Sequence, residues 1–347
     1  MIIQDSPTRI KLIGYEDKCT ELKDFLTYTD KTATFEVQRF KKAYWYVNKY
    51  GEEAYIERLN ELKDKQRVCL LEDEGTYFST YSGLAKLIAD KFNDQVINKI
   101  YFPPFEVLPW YKVPDFELRD YQKQALESLI KARQGVVEHA TGLGKTYLLL
   151  HLIKEIGLKT LIIVPSVSIG NQILNVFIKY LGEKYVGMFG NGKKKFNKLI
   201  TVGLGQSLTK IKPNTLEWDE LAKCQVFAGD ECHTLAPDSF LQIANGLASS
   251  APYRFFFSAT PTRTDGSELL LNGVIGNVLH EMTLKEGVER GFLAKPNFVI
   301  IKTISNNNSE SSDALKMISK HLYHNEYLHK QAALVANQFV DLLNNQV

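Results

Sequence analysis

The chain has 347 residues, of which 44% are hydrophobic and 24% charged, so it can bury a sizeable core and suggests two or three domains. A formal net charge of +2 provides no global basic field, so binding to nucleic acid would have to depend on local patches. The four cysteines form no C-x-x-C pair, the start is charged and no long apolar run exists; we therefore expect a cytoplasmic protein without a zinc site, disulfide framework or membrane contact.

Residues 1–100 are mixed and charge-rich, and we predict a small α+β domain that contacts DNA. Its most unusual window is RFKKAYWYVNKY (39–50), which interleaves basic and aromatic residues and contains no acid. The pattern suits backbone neutralisation and base stacking, but Phe40, Tyr44 and Val47 also have the spacing of a helix core face. We assign the aromatic residues to a core. We assign DNA contacts to the basic residues Arg39, Lys41 and Lys42.

Residues 101–116 are rich in proline, which excludes helix and central strand and predicts an ordered linker. Residues 117–296 then alternate strand and helix. Buried strands are predicted at 135–140, 159–165, 198–203, 225–230 and 253–260, and helices at 147–157 and 167–182. This alternation predicts an α/β fold with a parallel sheet covered by helices on both faces, and ligands at the carboxyl ends of its strands.

The last segment, 297–347, begins with the strand-like run NFVIIKT and a polar run, SNNNSESSD, that we expect to be flexible. A helix should follow, because apolar residues recur there at intervals of three and four. These residues are Leu328, Ala332, Val335, Phe339 and Leu342.

The stretch HATGLGKT (139–146) almost matches the phosphate-binding pattern G-x-x-x-x-G-K-[ST], with His139 in place of the first glycine. Gly142 and Gly144 let the backbone approach phosphate oxygens, Lys145 supplies positive charge, and Thr146 supplies a hydroxyl for Mg²⁺. The alternative is a plain strand–turn–helix connection that contains glycines.

The run GDECH (229–233) follows an apolar strand and places two carboxylates at its end. Asp230 can hold Mg²⁺ through water, and Glu231 can polarise an attacking water. An acidic surface turn is the alternative, but the two stretches together favour a site that binds and hydrolyses ATP.

The stretches LRDYQ (118–122), HATGLGKT, IIVPSVSIGNQ, TVGLGQSL, GDECH and SATPTR (258–263) occur in the order of the motifs of superfamily 2 helicases and translocases. The chain resembles most the branch that includes restriction-enzyme motors and bacteriophage branch-migration helicases of the UvsW type. The resemblance implies a RecA-like first motor lobe with ATP and Mg²⁺, acting on forked or branched DNA. For a phage protein it also implies the host cytoplasm.

The resemblance also implies roles for individual residues. The loop residues Thr141, Gly142, Leu143, Gly144, Lys145 and Thr146 would bind ATP, with Phe116, Arg119 and Gln122 at the adenine. His233, Ser258 and Thr260 would couple the phosphate state to movement. A sequence-independent contact with the nucleic-acid backbone would come from Pro165, Ser166, Gln172, Gly205 and Gln206. The lysines of KKKF (193–196) are either a further contact or a solvated turn.

A second RecA-like lobe, with its arginine fingers, is not evident in the sequence, and the expectation is that the chain stops where that lobe begins. An absent finger lowers turnover by about 10³–10⁵-fold. We therefore expect an ATP-dependent DNA helicase or translocase whose full turnover needs a second lobe. The alternatives are a nucleotide-gated DNA-binding module without turnover, an RNA helicase and a restriction-type motor. We expect a monomer; the sequence indicates no protein partner.

Overall fold

The computed structural model describes residues 1–231, 234, 237–259, 266–295 and 326–344. The chain divides into two compact units, Met1–Leu293 and Ala294–Val347. Within the described residues, no helix combines the length and the apolar character needed to cross a membrane.

The first unit begins with a five-stranded sheet in the order β5-β6-β2-β1-β7, which is antiparallel except where β1 pairs with β7. Its strands are β1 (Ile2–Gln4), β2 (Arg9–Leu12), β5 (Glu72–Asp73), β6 (Phe78–Tyr81) and β7 (Val96–Asn98). Two helices accompany it, α1 (Cys19–Phe25) and α5 (Ala85–Phe92). The apolar residues of β1, β2 and α5 form one buried cluster, as expected for a small α+β layer.

A three-helix insertion interrupts this sheet between β3 (Thr27–Thr29) and β4 (Arg67–Cys69), which pair with each other as a two-stranded antiparallel stem. The insertion consists of α2 (Lys31–Phe40), α3 (Tyr44–Tyr50) and α4 (Glu52–Asp64). Asp30 caps α2 by accepting from the backbone N–H groups of Thr32 and Ala33.

The prediction that the aromatic residues of 39–50 form a helix core face is wrong for most of the window. Tyr44 is 77% exposed and Trp45 62% exposed, while Phe40 and Val47 are only half-buried. The reason is that α3 is a short helix that packs mainly on α4 and touches α2 through the ring pair Tyr46–Phe40, so only one side of it is covered.

The proline-rich residues before the large sheet form an extended arm, as the prolines predicted. The backbone N–H of Glu106 donates to the carbonyl of Ile156, and the N–H of Tyr111 donates to that of Tyr180. These carbonyls belong to the last turns of two helices, where carbonyls have no partner inside the helix. The arm therefore completes the hydrogen bonding of two helix ends.

The large sheet has eight strands in the order β11-β10-β12-β9-β13-β14-β8-β15, and all neighbours are parallel except the edge pair β10–β11. In chain order the strands are β8 (Gln134–His139), β9 (Thr160–Val164), β10 (Val186–Gly190), β11 (Lys193–Lys194), β12 (Ile200–Leu204), β13 (Val226–Asp230), β14 (Tyr253–Ser258) and β15 (Val278–Met282). The predicted parallel sheet is confirmed. Three of its strands, β10, β11 and β15, were not predicted, because their sequence patterns are short or irregular.

Helices cover both faces of this sheet, as predicted. The sheet therefore lies between two buried clusters. The helices are α6 (Asp120–Ala132), α7 (Lys145–Ile156), α8 (Val167–Leu181), α9 (Gly205–Leu208), α10 (Leu216–Leu221), α11 (Pro237–Gln242), α12 (Glu268–Ile275) and α13 (Leu284–Glu289), with a π-helical turn at Ile243–Leu247. The second unit contains α14 (Glu326–Asn344), which confirms the helix predicted near the end. The predicted strand NFVIIKT and the run SNNNSESSD lie outside the described residues.

Candidate active site

The short motifs meet at one edge of the large sheet because three of its adjacent strands, β13, β14 and β8, end there. In the parallel register Asp230 pairs with Phe257, and Ser258 pairs with Glu138. The segment after β8 and the acid pair after β13 therefore emerge side by side, where ligands bind in open parallel sheets.

The loop between β8 and α7 turns through two glycines in the left-handed region, with φ values of 86° at Gly142 and 77° at Gly144. Residues with a side chain rarely adopt this backbone conformation. A Cβ on Gly144 would also lie 2.7 Å from the amide nitrogen of Gln122. Gly144 is the residue before the first turn of α7, so the loop leads directly into a helix N-terminus, which attracts anions.

The ammonium of Lys145 connects the loop with the acid pair. Its Nζ donates to the carbonyl of His139 at 2.8 Å and lies 3.1 Å from Oε1 of Glu231. The lysine side chain is only 10% exposed, so this ion pair is poorly screened by solvent.

Glu231 joins the acid pair to the segment after β14. Its backbone has a φ of 52°, an uncommon conformation for a residue with a side chain, and its N–H donates to the carbonyl of Phe257. The N–H of Ala259, within SATPTR, donates to its carboxylate at 3.4 Å. One carboxylate therefore touches both the lysine of the loop and the backbone that follows β14.

Asp230 is buried at the end of β13. Burial, and then the neighbouring carboxylate of Glu231, raise the pKa of Asp230 to about 6, while Lys145 acts in the opposite direction. The two carboxylates Asp230 and Glu231 face one cation, Lys145, and such a local excess of negative charge is typical of a site that binds a metal cation. Thr146 and Asp230 line the same cavity and offer the oxygen ligands that Mg²⁺ prefers.

A cavity of about 420 Å³ lies over these groups. Its lining is Thr141, Gly142, Gly144, Lys145, Thr146, Tyr147, Ile169, Gln172, Val176, Asp230 and Glu231. The volume is in the range of small-ligand sites, about 300–1,000 Å³. Leu143 is buried beneath the loop, so it contributes to the site through its backbone.

The residues predicted to contact adenine differ in their burial and in their contacts with the loop. Gln122 is buried rather than solvated. Its amide donates to the carbonyls of Leu143 and Gly144 and accepts from the N–H of Arg119. The exposed Arg119 stacks on Phe292, with 4.8 Å from its Cζ to the ring centre. Gln122 is thus hydrogen-bonded to the loop, and a contact with adenine stays a prediction.

Phe116 is half-buried and packs edge-on against Tyr147, with ring centres 4.5 Å apart. Tyr147 lines the cavity, so Phe116 supports that wall. Tyr121 was not among the predicted site residues, although its hydroxyl donates to the carbonyl of Leu143 at 2.8 Å. Its position inside LRDYQ was the signal available.

His139 is fully buried, and its Nε2 lies 2.9 Å from Nδ1 of His280 on β15. Burial, with His280 and Lys145 nearby, lowers the pKa of His139 to about 3, so its ring is neutral at physiological pH. No local signal pointed to His280, which lies far away in the sequence.

The residues predicted to contact a nucleic-acid backbone fall into three places. Pro165 and Ser166 follow β9, while Gly205 and Gln206 follow β12, and the pairing of Val164 with Leu204 brings these two strand ends together. The Ser166 hydroxyl caps α8 by accepting from the N–H of Ile169. Gln172 instead lies on the wall of the cavity. The remaining three, Arg39, Lys41 and Lys42, lie at the end of α2 and just after it, within the insertion.

Ser258 is buried at the end of β14, beside the acid pair. The other two predicted coupling residues, His233 and Thr260, lie outside the described residues. In the KKKF run, Lys194 pairs with Glu217 and Lys195 with Glu183, which favours the solvated turn.

Comparison with known proteins agrees with this arrangement. The family model described as "Type III restriction enzyme, res subunit" matches residues 115–263. The chain is 29% identical over 181 residues to the DNA 3'-5' translocase XPB2 of Sulfurisphaera tokodaii, covering 52% of this chain and 39% of that protein. It is 27% identical over 192 residues to the DNA 3'-5' helicase XPB of Mycobacterium tuberculosis, covering 54% and 34% respectively. The chain therefore spans less than half the length of these curated relatives.

Among solved structures, the UvsW helicase of bacteriophage T4 superposes with a TM-score of 0.58 at 18% identity, covering 80% of this chain and 98% of that chain. A second T4 UvsW structure gives a TM-score of 0.56, covering 80% of this chain and 56% of that chain. At this identity the likeness concerns the fold. It extends beyond the segment matched by the family model.

Proposed function

Because the chain belongs to helicase superfamily 2, we propose that it contains the ATP-hydrolysing lobe of a motor that moves on DNA and remodels forks or branches. The observation that carries the proposal is the position of Glu231, whose carboxylate lies 3.1 Å from Lys145 Nζ and accepts from the N–H of Ala259. This contact links the phosphate-binding lysine to the strand end that the family uses for coupling.

Each residue then has a chemical task. Lys145 neutralises the outer phosphates of ATP once it exchanges Glu231 for them, and the loop N–H groups contact the remaining oxygens. Glu231, released from the lysine, orients the attacking water. Thr146 and Asp230 would hold Mg²⁺, which supplies charge neutralisation at the phosphates. The raised pKa of Asp230 fits a carboxylate that needs a cation beside it.

The test is ATP hydrolysis with and without DNA, in the longest natural form of the protein. Lys145→Ala should abolish nucleotide binding, whereas Glu231→Gln should keep binding and lose turnover. Lys154→Ala, on the same helix but outside the cavity lining, is the matched control. Undiminished hydrolysis in both site variants would overturn the assignment.

The substrate needs its own experiment. Strand displacement is measured on four-way, forked and linear substrates, with DNA and RNA versions side by side. Two of the relatives are named as a DNA translocase and a DNA helicase, which supports DNA, whereas a third, from Acanthamoeba polyphaga mimivirus, is named as a putative RNA helicase. Preference for forked or four-way DNA over linear DNA would support the proposed remodelling; equal or better activity on RNA would contradict it.

A second candidate is a nucleotide-gated DNA-binding module without turnover. Among the described residues that line the cavity, none is an arginine that could act as a finger. Turnover of these 347 residues is compared with that of a longer natural product. Equal and low rates in both, with DNA affinity that depends on ATP, would favour the module over the motor.

A further inference from the structure

The three-helix insertion carries a groove that neither the nucleotide site nor the sheet edge uses. It has a volume of about 520 Å³ and is lined by three rings and three basic side chains. They are Arg39, Phe40, Lys42, Trp45, Tyr46 and Arg58. We call it the aromatic groove.

The rings of the groove continue into an exposed row along α3. The centres of Phe40 and Tyr46 are 5.0 Å apart, those of Trp45 and Tyr46 5.6 Å, and those of Tyr46 and Tyr50 4.7 Å. Trp45 is nevertheless 62% exposed, although large rings normally stabilise a fold by being buried. The contacts between rings fix the row, while its outer face stays open to a ligand.

The insertion does not need these outer rings for its own core. Its buried apolar side chains are Ala33, Val37 and Leu62, from α2 and α4. Trp45 and Tyr44 of α3 both point mainly to solvent. An exposed contiguous apolar patch of this kind marks an interaction surface more often than a structural one.

Charge distinguishes between the possible occupants. The window 39–50 contains Arg39, Lys41, Lys42 and Lys49 and no acid. Arg58 is paired with Glu61 at 2.6 Å, and Glu36 also lines the groove, so Arg39 and Lys42 leave the groove with one excess positive charge. Cations beside exposed rings match a polyanion that also offers flat apolar faces.

We infer that the aromatic groove binds an unpaired strand of DNA, with a base stacked on Trp45 and its phosphates near Arg39 and Lys42. Bases of a continuous duplex are stacked on each other, so a protein ring can stack only on a base that is out of the duplex. The inference rests on the proposed function, to which it adds a second contact site that grips the displaced strand at a junction.

The experiment measures fluorescence anisotropy of a labelled 20-mer of deoxythymidine, and of the same strand with abasic sites, on the full chain without nucleotide. Trp45→Ala should weaken binding to the thymidine strand by about 5- to 100-fold, because stacking contributes that much per base. It should leave binding to the abasic strand unchanged. Trp45→Phe should restore most of the affinity. Tyr101→Ala, a 78% exposed ring outside the insertion, is the matched control.

The phosphate contacts are tested through salt. The double variant Arg39→Glu, Lys42→Glu should flatten the dependence of log affinity on log salt by about 1.4, since each single-strand phosphate contact adds about 0.7. Lys23→Glu, an exposed lysine on α1, should leave that slope unchanged.

Three outcomes distinguish the groove from the proposed motor. If Trp45→Ala binds the thymidine strand as well as the unaltered chain does, the groove is not the strand site, while the motor proposal stands. If concentration-dependent self-association disappears in Trp45→Ala with no change in DNA affinity, the occupant is a second copy and the inference is overturned. If the stacking effect is found but ATP does not bind, the groove stands and the proposed motor fails.

Discussion

His139 and His280 form a buried pair in which Nε2 of one ring lies 2.9 Å from Nδ1 of the other. The pair connects the end of β8, where the phosphate-binding loop begins, with β15 at the edge of the sheet. The carbonyl of the same His139 accepts from Lys145. The residue that replaces the usual glycine therefore anchors the loop to a neighbouring strand.

This pair makes the stability of the protein depend on pH. In the unfolded chain a histidine gains a proton near pH 6.5, but the folded His139 resists protonation down to about pH 3 because it is buried. As pH falls below 6.5, the unfolded state binds more protons and the free energy of unfolding decreases, by at most about 1.4 kcal/mol per pH unit for this group.

The measurement is urea unfolding between pH 7.5 and 5.5, with His139→Asn beside the unaltered chain. The variant should lose part of the acid sensitivity, although Asp230, whose pKa is raised, changes stability in the opposite direction in both proteins. His329→Asn, at an exposed position on α14, serves as control. Identical pH slopes in all three proteins would contradict the prediction.

Gln122 should affect nucleotide affinity through the loop. Its amide donates to the carbonyls of Leu143 and Gly144, so Gln122→Ala leaves two carbonyls without that donor and lets the loop move. We expect ADP to bind about tenfold more weakly, measured by calorimetry. Gln124→Ala, on the exposed side of the same helix, should bind ADP normally.

Tyr121→Phe separates the loop support from a direct role in base recognition. It removes only the hydroxyl that donates to Leu143 at 2.8 Å. If the loop support matters, this variant and Gln122→Ala both weaken ADP and GDP alike. A loss confined to ADP in Gln122→Ala would show instead that Gln122 recognises adenine.

Arg254 should be among the most sensitive positions for folding. It is fully buried and donates to the carbonyls of Ala244 and Ala248 at 2.9 Å, at the end of the π-helical turn. Burial lowers the pKa of Arg254 to about 10, so it stays charged at neutral pH. Arg254→Met removes a donor from each of two buried carbonyls, of which that of Ala248 keeps the N–H of Ala251, and should cost about 2–4 kcal/mol of unfolding free energy. Lys131→Met, at an exposed position, should cost less than about 0.5 kcal/mol.

Gly157 should show how firmly the proline-rich arm is held. Its φ is 65°, and an added Cβ would overlap the carbonyl oxygen of Glu106 on the arm. Gly192 has a φ of 75° and open space around it, so Gly192→Ala measures the backbone cost alone, about 1–2 kcal/mol. Gly157→Ala should cost clearly more in urea unfolding and expose the arm to protease. Equal losses of unfolding free energy in the two variants would mean that the arm moves aside without destabilising the protein.

The elements with strong patterns could be predicted from the sequence. Buried strands such as β9 and β13 are continuous apolar runs, and Gly144-Lys145-Thr146 sits where a strand turns into a helix, so local rules sufficed. Because parallel strands end at a common edge, the meeting of the loop with Asp230 and Glu231 also followed from the sequence.

The contacts that depend on distant partners became visible only in the folded chain. Nothing near His139 points to His280, nothing near Gln122 shows that its amide faces the loop, and β15 has no regular pattern of its own. The exposure of Trp45 likewise depends on which side of α3 the other helices cover. The spacing of residues along a chain indicates which of them share a face of a helix or strand. Whether that face is buried depends on what packs against it, and this packing exists only in the folded chain.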